Sequence, residues 1–351
     1  MNQKILVLGA GTAGCAASIF LRQLGFEVTL VERQAQASST GTFKIGESLS
    51  PDASKLLQQL NVWESFCQAS HLKCYGNVSY WHSKTPTHHD FLQHPLGHGW
   101  HLDRLAFDQM LLNKATDLGA QLLTETRITS IRFENEQWKV ELNNPQGSHG
   151  ATADFMIDAT GRNSWLARQM GVDRLYEAEQ LALMAFLNIA EDFEDSRTLV
   201  ETEGAGWWYS APIPGNRMVT AYFYPPERIK LPTQPTAKEW QKLLEQSPQT
   251  TKRIAQAQGE LIADCQTVAA HSSILEVLYG PGWIAIGDAA LTYDPISAHG
   301  ITMAMATARD AANAILSYFK GNTEALNAYE SVLWAAFQRY AEERQGFVVK
   351  D

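Results

Sequence analysis

The chain has 351 residues, 45% hydrophobic and 19% charged, so it is long enough for two domains and too apolar to be disordered or collagen-like. Its 28 Lys and Arg residues against 38 Asp and Glu residues leave a formal charge of -10 without a basic block, so nucleic acid and membrane surfaces are not expected partners. Four cysteines without a Cys-x-x-Cys pair support neither a disulfide framework nor a zinc ribbon, and no apolar run reaches membrane-spanning length, so we expect a cytoplasmic protein.

The first residues predict a strand, a glycine turn, a helix and a second strand. Residues 4–8 are a short apolar run, and Gly-Ala-Gly-Thr-Ala-Gly follows at 9–14, before a helical pattern. Such a turn lets the backbone approach a pyrophosphate at a helix N-terminus, and the acidic residue that ends the second strand can accept hydrogen bonds from a ribose hydroxyl. The predicted dinucleotide-binding residues are Gly9, Gly11, Thr12, Ala13, Gly14, Glu32 and Arg33.

Only one such fingerprint is present, because the glycine pairs at 204–206 and 280–282 lack the third glycine. This argues against the disulfide reductases, which carry separate FAD and NAD units and a redox-active cysteine pair.

A distal motif favours a flavin in the single site. Residues 283–286 predict a strand that ends at Gly287-Asp288, and Asp294-Pro295 with Gly300 precede an Ala- and Met-rich helix. An Asp at a strand end can hold a polyol hydroxyl, and free N–H groups at a helix start suit the electron-rich edge of a flavin. An ordinary strand, loop and helix with a capping Asp is the alternative explanation.

These segments together resemble the FAD-binding signatures of single-component flavoprotein monooxygenases and flavin-dependent halogenases, with Asp158-Ala159-Thr160-Gly161 as a further match. Residues 44–49, Lys-Ile-Gly-Glu-Ser-Leu, resemble a segment that runs along the flavin, and Arg104 resembles an arginine that contacts it. The resemblance implies an α/β protein with a Rossmann-like FAD-binding domain of the GR2 type, an inserted mixed or antiparallel β-sheet substrate domain and C-terminal helices. The FAD-binding residues that it adds are Gly46, Glu47, Ser48, Arg104, Gly161, Gly287, Asp288, Pro295, Gly300 and Ile301.

The predicted domain division is discontinuous. The FAD-binding domain comprises residues 1–72, 100–175 and 267–351, and the substrate-side β-sheet domain comprises residues 73–99 and 176–266. Strand-like patterns in the second domain and two helical patterns after Gly300 support this division.

Further segments resemble a narrower group, the flavoproteins that modify a protein tryptophan during maturation of tryptophylquinone enzymes, such as those accessory to lysine ε-oxidase and glycine oxidase. These segments are residues 75–77, 97–104, 206–210 and 294–297. The resemblance implies hydroxylation of a tryptophan in a partner protein, a quinoprotein precursor, through a flavin hydroperoxide formed with O2. The aromatic residues Trp207, Trp208 and Tyr209 are predicted to line the substrate pocket. The electron donor, NAD(P)H or a separate flavin reductase, is left open.

Two other classes stay open. One is a hydroxylase or halogenase of a small aromatic metabolite. The Trp-x-Trp-x-Ile-Pro motif of tryptophan halogenases is absent, since Tyr209 and Ala211 occupy its tryptophan positions, but Lys73 resembles the halogenase lysine in its spacing from Trp81. The other class is a flavoprotein that binds a partner without turnover.

The catalytic candidates are Lys73, Tyr209 and His299, and His101 is a further group that could relay protons near neutral pH. The histidines between residues 71 and 101 do not have the spacing of a metal site, so no metal is expected.

Overall fold

The computed structural model describes residues 2–35, 47–232 and 234–348. The helices of these residues are α1 (Thr12–Gln23), α2 (Ala53–Gln59), α3 (Trp63–Gln68), α4 (Arg104–Asp117), α5 (Trp165–Gln169), α6 (Ala237–Leu244), α7 (Pro248–Gln256), α8 (Gly300–Phe319) and α9 (Glu324–Val348). The strands are β1 (Lys4–Leu8), β2 (Glu27–Val31), β3 (Ser48–Leu49), β4 (Leu72–Cys74), β5 (Gly76–Tyr80), β6 (Thr87–Asp90), β7 (Gly99–His101), β8 (Gln121–Leu123), β9 (Arg127–Glu134), β10 (Gln137–Asn144), β11 (Gly147–Ala153), β12 (Phe155–Asp158), β13 (Arg174–Ala178), β14 (Leu181–Asn188), β15 (Thr198–Glu203), β16 (Gly206–Ile213), β17 (Arg217–Tyr224), β18 (Glu260–Leu261), β19 (Gln266–Ala269), β20 (Ser272–Leu275), β21 (Tyr279–Gly280), β22 (Trp283–Ala285) and β23 (Leu291–Thr292).

A six-stranded sheet in the order β21-β22-β12-β1-β2-β8 carries the glycine turn. Its strands are parallel from β22 to β8, and β21 is antiparallel at the edge. The strands β1 and β12 are buried apolar runs, as expected for a parallel sheet that is covered on both faces. Because the carboxyl ends of parallel strands share one edge, the turns after β1, β2, β12 and β22 meet there.

A mixed sheet of eight strands supplies the second layer of the site. Its order is β18-β14-β17-β16-β15-β5-β6, with β19 also paired to β14, and only the β15–β5 pair is parallel. Both segments assigned by sequence to the substrate side therefore contribute strands to one sheet, while the domain boundaries themselves stay a prediction.

The two faces of this mixed sheet have different partners, because successive side chains in a strand alternate. One face, with Leu183, Trp208 and Tyr222, packs on Trp240 of α6 and Ile254 of α7. The opposite face forms a separate apolar cluster of Ala182, Met184, Phe186, Trp207, Ala211, Ile213, Val219, Ala221, Phe223 and Ala270. Part of that second cluster lines the candidate site.

Smaller sheets and the last helix complete the fold. The antiparallel strands β9 to β11 pack on the six-stranded sheet, where the Trp138 indole donates to the Gly282 carbonyl over 2.7 Å. The Asp294 amide donates to the Tyr340 hydroxyl of α9 over 2.8 Å, which ties α9 to the segment that precedes α8. No helix of the described residues has the length and apolar character that crossing a membrane requires.

Candidate active site

The glycine turn lies between β1 and α1 and leaves a helix end open. Gly9 has φ +99°, and a Cβ there would lie 2.5 Å from the Ala159 carbonyl oxygen. A Cβ at Gly11 would meet nothing within 4 Å. Because no side chain caps α1, its first N–H groups are free to bind an anion.

Two cavities meet at this turn and form an elongated cleft. The glycine-turn cavity has a volume of about 920 Å³ and includes Gly9, Gly11, Glu32 and Arg33 in its wall. The sheet-side cavity has a volume of about 560 Å³ and lies between the turn, the start of α8 and the mixed sheet. Gly11, Ala159 and Gly161 line both cavities, so a long ligand such as a dinucleotide fits across them.

Glu32 follows β2 and is oriented by the backbone around it. Its Oε2 accepts from the Ala10 amide over 2.9 Å, and its Oε1 accepts from the Gln34 amide over 2.8 Å. A carboxylate has about four acceptor positions, so these two bonds leave capacity for ribose hydroxyls.

Arg104 begins α4 and lines the sheet-side cavity. Its Nη2 lies 3.3 Å from Asp108 Oδ2, one turn further along the helix. Thr12 of the glycine turn donates to Asp108 Oδ1 over 2.8 Å. This group therefore fixes α4 against the start of α1.

Two arginines that were not predicted from the sequence hold the turn that contains Gly287 and Asp288. Asp288 lies in a 3-10 turn after β22, and its Oδ2 is 3.7 Å from Arg162 Nε. Arg174 donates to the Asp288 and Ala289 carbonyls, which fixes the backbone of the turn. Both arginines come from distant parts of the chain, so no local pattern reveals them.

The sheet-side cavity has an apolar wall from the mixed sheet. This wall consists of Ala182, Met184, Tyr209, Ala221, Phe223, Val268, Ala269 and Ala270. The start of α8, with Gly300 and Ile301, forms another side. The period of two along β14 and β17 is the sequence signal that would have found Ala182, Met184, Ala221 and Phe223.

Tyr209 ends a line of polar contacts that runs into the protein. Its hydroxyl oxygen lies 2.8 Å from Ser48 Oγ, which lies 3.3 Å from His101 Nδ1. The His101 Nε2 lies 3.0 Å from the Ser196 carbonyl oxygen. Burial lowers the pKa of His101 to about 4, against the opposing effect of the Ser196 carbonyl, and burial raises the pKa of Tyr209. His101 is therefore neutral at physiological pH, which corrects the expectation that it relays protons near pH 7.

The structure brings most of the predicted site residues to the cleft. Those that line it are Gly9, Gly11, Thr12, Ala13, Glu32, Arg33, Glu47, Ser48, Arg104, Gly161, Tyr209, Asp288, Pro295, His299, Gly300 and Ile301. Two of the predicted glycines allow close packing, since a Cβ at Gly14 would lie 1.8 Å from the Gly9 carbonyl oxygen and one at Gly287 would lie 2.8 Å from Ala13 Cβ. Gly46 lies outside the described residues.

Three predictions about side chains need correction. Trp208 is fully buried in the core on the far face of the mixed sheet, because neighbours of Tyr209 in β16 point away from it. Trp207 shares the face of Tyr209 but stacks on Phe223, with ring centroids 4.0 Å apart, and does not line the cleft. Lys73 of β4 is exposed and lines neither cavity.

No group of three metal-binding side chains is close enough to hold an ion within the described ranges.

Comparison with known proteins identifies the cofactor. The FAD binding domain family matches residues 2–342. The chain belongs to this FAD binding domain family. This flavoprotein is 27% identical over 349 residues to "Putative FAD-dependent oxidoreductase LodB" of Marinomonas mediterranea, covering 95% of this chain and 89% of LodB. It is 26% identical to "Tryptophan 2-halogenase" of Chondromyces crocatus, covering 94% of this chain and 64% of that protein.

Among solved structures, the flavin-dependent halogenase CmlS superposes with a TM-score of 0.85 at 23% identity, covering 97% of this chain and 63% of CmlS. The flavoprotein thus spans less than two thirds of both halogenases. The Rossmann-like α/β fold, the FAD cofactor and membership of the flavin monooxygenase and halogenase superfamily, predicted from the sequence, are confirmed. The protein is a FAD-dependent oxidoreductase.

Proposed function

We propose that this flavoprotein is a monooxygenase that hydroxylates an aromatic ring, and that the ring is a tryptophan side chain of a partner protein during tryptophylquinone biogenesis. The observation that carries the proposal is the apolar sheet-side cavity, which meets the glycine-turn cavity at Gly11. When bound, FAD supplies the redox equivalents that activate O2. We expect NAD(P)H or a separate flavin reductase to provide the electrons.

The cleft residues would hold the two ends of FAD in different ways. The open Cβ position of Gly11 and the uncapped start of α1 suit the pyrophosphate, and Glu32 suits the adenosine ribose. Asp288 suits a polyol hydroxyl beside Arg162. The N-terminus of α8 would stabilise negative charge at the flavin edge.

The protein's part in the chemistry is to place the ring and to exclude water. Met184, Ala221 and Phe223 provide an apolar wall suited to an aromatic ring, and a dry wall protects a reactive oxygen species from hydrolysis. Tyr209 and His299 are the polar candidates that would face the ring from opposite elements, β16 and the start of α8.

The lining favours oxygen transfer over halogenation. None of the described residues that line the sheet-side cavity is a lysine, and Lys73 is exposed on β4. Lys44 lies outside the described residues. A halogenase lysine would have to lie beside the reacting ring, so Lys73 does not serve that role in this proposal.

The segments at 75–77, 97–104, 206–210 and 294–297, which resemble the tryptophan-modifying flavoproteins, support a protein-bound substrate. The chain is also similar along 95% of its length to LodB, a putative FAD-dependent oxidoreductase. More than a third of the length of each of the two halogenases lies outside the match.

Mass spectrometry of the products tests the proposal. The FAD-loaded protein would be reduced and exposed to isotopically labelled O2 and bromide, with a tryptophylquinone precursor, free tryptophan and simple phenols present. One labelled oxygen on the precursor alone is expected, and it should disappear when the target tryptophan is replaced by phenylalanine. Bromine in any product would overturn oxygen transfer, and oxygen only on a phenol would move the protein to the metabolite hydroxylases.

A further inference from the structure

The series of contacts from Tyr209 through Ser48 and His101 to Ser196 fixes which atom is the donor in each hydrogen bond. The Ser196 carbonyl oxygen has no hydrogen, so His101 Nε2 must donate to it. Neutral His101 then has an acceptor at Nδ1, and the Ser48 hydroxyl, 3.3 Å away, donates to it. Ser48 has no second hydrogen, so Tyr209 must donate its own hydroxyl hydrogen to Ser48 over 2.8 Å.

The opposite direction would place lone pairs against each other. If Ser48 donated to Tyr209, its oxygen would face the acceptor nitrogen of His101 without a hydrogen between them. Protonation of His101 would remove this conflict, but burial holds the pKa of His101 at about 4. The pKa of Tyr209 is raised, so its hydroxyl keeps its hydrogen at physiological pH.

The far end of the line is anchored by a buried arginine. Arg253 of α7 is 5% exposed and donates to the carbonyl oxygens of Asp195 and Arg197, on either side of Ser196. Its guanidinium also lies 5.8 Å from the Phe193 ring centroid. The Ser196 carbonyl is therefore held in place, and with it the direction of the three hydrogen bonds.

The wall of the cavity contains one hydrogen-bonding hydroxyl. Of the described residues that line the sheet-side cavity from the mixed sheet, the others are alanine, valine, methionine and phenylalanine. Since the hydroxyl hydrogen of Tyr209 is taken by Ser48, the side chains of this wall offer the ligand a lone pair on oxygen and no polar hydrogen.

We propose that Tyr209 selects the substrate ring by accepting a hydrogen bond from its ring N–H, and that Ser48 and His101 are positioning residues that keep the Tyr209 oxygen an acceptor. This inference rests on the proposed function and specifies its substrate class. An indole N–H is a donor only, so it matches this lone pair, whereas a ring that carries only an acceptor leaves the lone pair of the Tyr209 oxygen without a partner.

Equilibrium binding to the oxidised, FAD-loaded protein tests the inference without turnover. The probes are 3-methylindole and 3-methylbenzofuran, which have nearly the same shape but carry N–H and O in the ring. We expect the wild type to prefer the indole by about tenfold, or about 1.4 kcal/mol, since the benzofuran leaves a buried polar group of the cavity unmatched. Y209F should bring the preference to about one, and Y75F, at an exposed tyrosine outside the cavity, should retain it.

Substitutions of Ser48 test the direction of the hydrogen bond. In S48A the Tyr209 hydroxyl is released and can donate into the cavity, so the benzofuran should gain affinity and the preference should fall or reverse. In S48T the hydroxyl is retained, and the wild-type preference should return. A purely structural role for Ser48 would weaken both probes equally.

Two results would overturn the inference. They are equal binding of the two probes by the wild type and an unchanged preference in Y209F. If the flavin spectrum of Y209F also shifts without ligand in the second case, Tyr209 bonds to the flavin. Binding of the probes does not depend on turnover, so a failure to hydroxylate a partner protein would leave this result intact and is distinguishable from it.

Discussion

Gly11 and Gly14 stand three residues apart in one turn and are glycines for different reasons. A Cβ at Gly14 would strike the Gly9 carbonyl oxygen at 1.8 Å, so a side chain there disrupts the protein itself. A Cβ at Gly11 would meet no protein atom within 4 Å and would extend into the cleft. Gly14 is therefore required by the fold, and Gly11 by the ligand.

We expect G11A to weaken FAD binding by at least about tenfold while the melting temperature of the apoprotein stays unchanged, because the new methyl group enters the space of the pyrophosphate. A fluorescence titration with FAD and a thermal melt measure the two quantities. G150A is the matched control, since its Cβ would also be free of close contacts, on β11 away from the cleft. Normal FAD affinity in G11A would contradict the assignment.

The aromatic run at residues 207–209 illustrates what residue patterns can and cannot predict. Because side chains alternate along a strand, Trp208 must lie on the face opposite to its two neighbours, and this could have been predicted from the sequence. The stacking of Trp207 on Phe223, by contrast, depends on how β16 pairs with β17, which is not a local property. Burial of His101 is hidden in the same way, because its contact with Ser196 crosses 95 residues.

At the scale of elements, the N-terminus of α7 is capped by a side chain from a distant strand. Its own cap residue, Ser247, makes no side-chain capping bond. Instead, buried Glu201 of β15 accepts from the Gln249 amide over 2.9 Å and from the Thr250 amide over 2.7 Å. Negative charge at a helix N-terminus is favourable, and bonds to ionised groups are the stronger ones.

E201Q should therefore lower the free energy of unfolding by about 2 kcal/mol, because the amide has no charge and turns an N–H group toward other donors. Chemical denaturation measures the change, and E203Q on the same strand is the control. Equal stability of the two variants would show that the carboxylate is not needed at this helix start.

Elements that arise from local sequence were predictable, and those that need distant partners were not. The strand, glycine turn, helix and strand of residues 4–31 follow from periodicity and glycine placement, and so do α8 and α9. The capping bonds from Glu201 and the bonds from Arg174 to the turn at Asp288 join residues about 50 or more positions apart. No pattern within either segment predicts them.

At the scale of the whole molecule, two buried histidines make stability depend on pH. Burial lowers the pKa of His71 and of His101 to about 4, against about 6.5 in an unfolded chain. Their contribution to the free energy of unfolding is fully present above pH 6.5. It is lost as the pH falls towards 4, because the histidines of the unfolded chain bind protons at a higher pH than those of the folded chain. Each can contribute on the order of 3 kcal/mol.

We expect H71F to flatten the fall in unfolding free energy between pH 6.5 and 4 relative to wild type, since the ring lies among Phe66 and Phe107 and one protonation step is removed. Denaturation at a series of pH values gives the slope. H88Q, on an exposed strand, should follow the wild-type curve. A slope in H71F equal to wild type would show that His71 does not titrate with unfolding.

The six-stranded sheet assembles its centre from widely separated parts of the chain. The strand β1 pairs with β12. The other edge of β12 pairs with β22, which begins at Trp283 and is therefore synthesised much later. Chains with such distant pairings fold slowly. A ribosome adds about 5–20 residues per second, so a nascent chain exposes the open edge of β12 for several seconds, with its apolar surface accessible to chaperones or to other chains. The strand that closes that edge also leads into Gly287-Asp288, so a half-made protein has neither a finished sheet nor a finished flavin site.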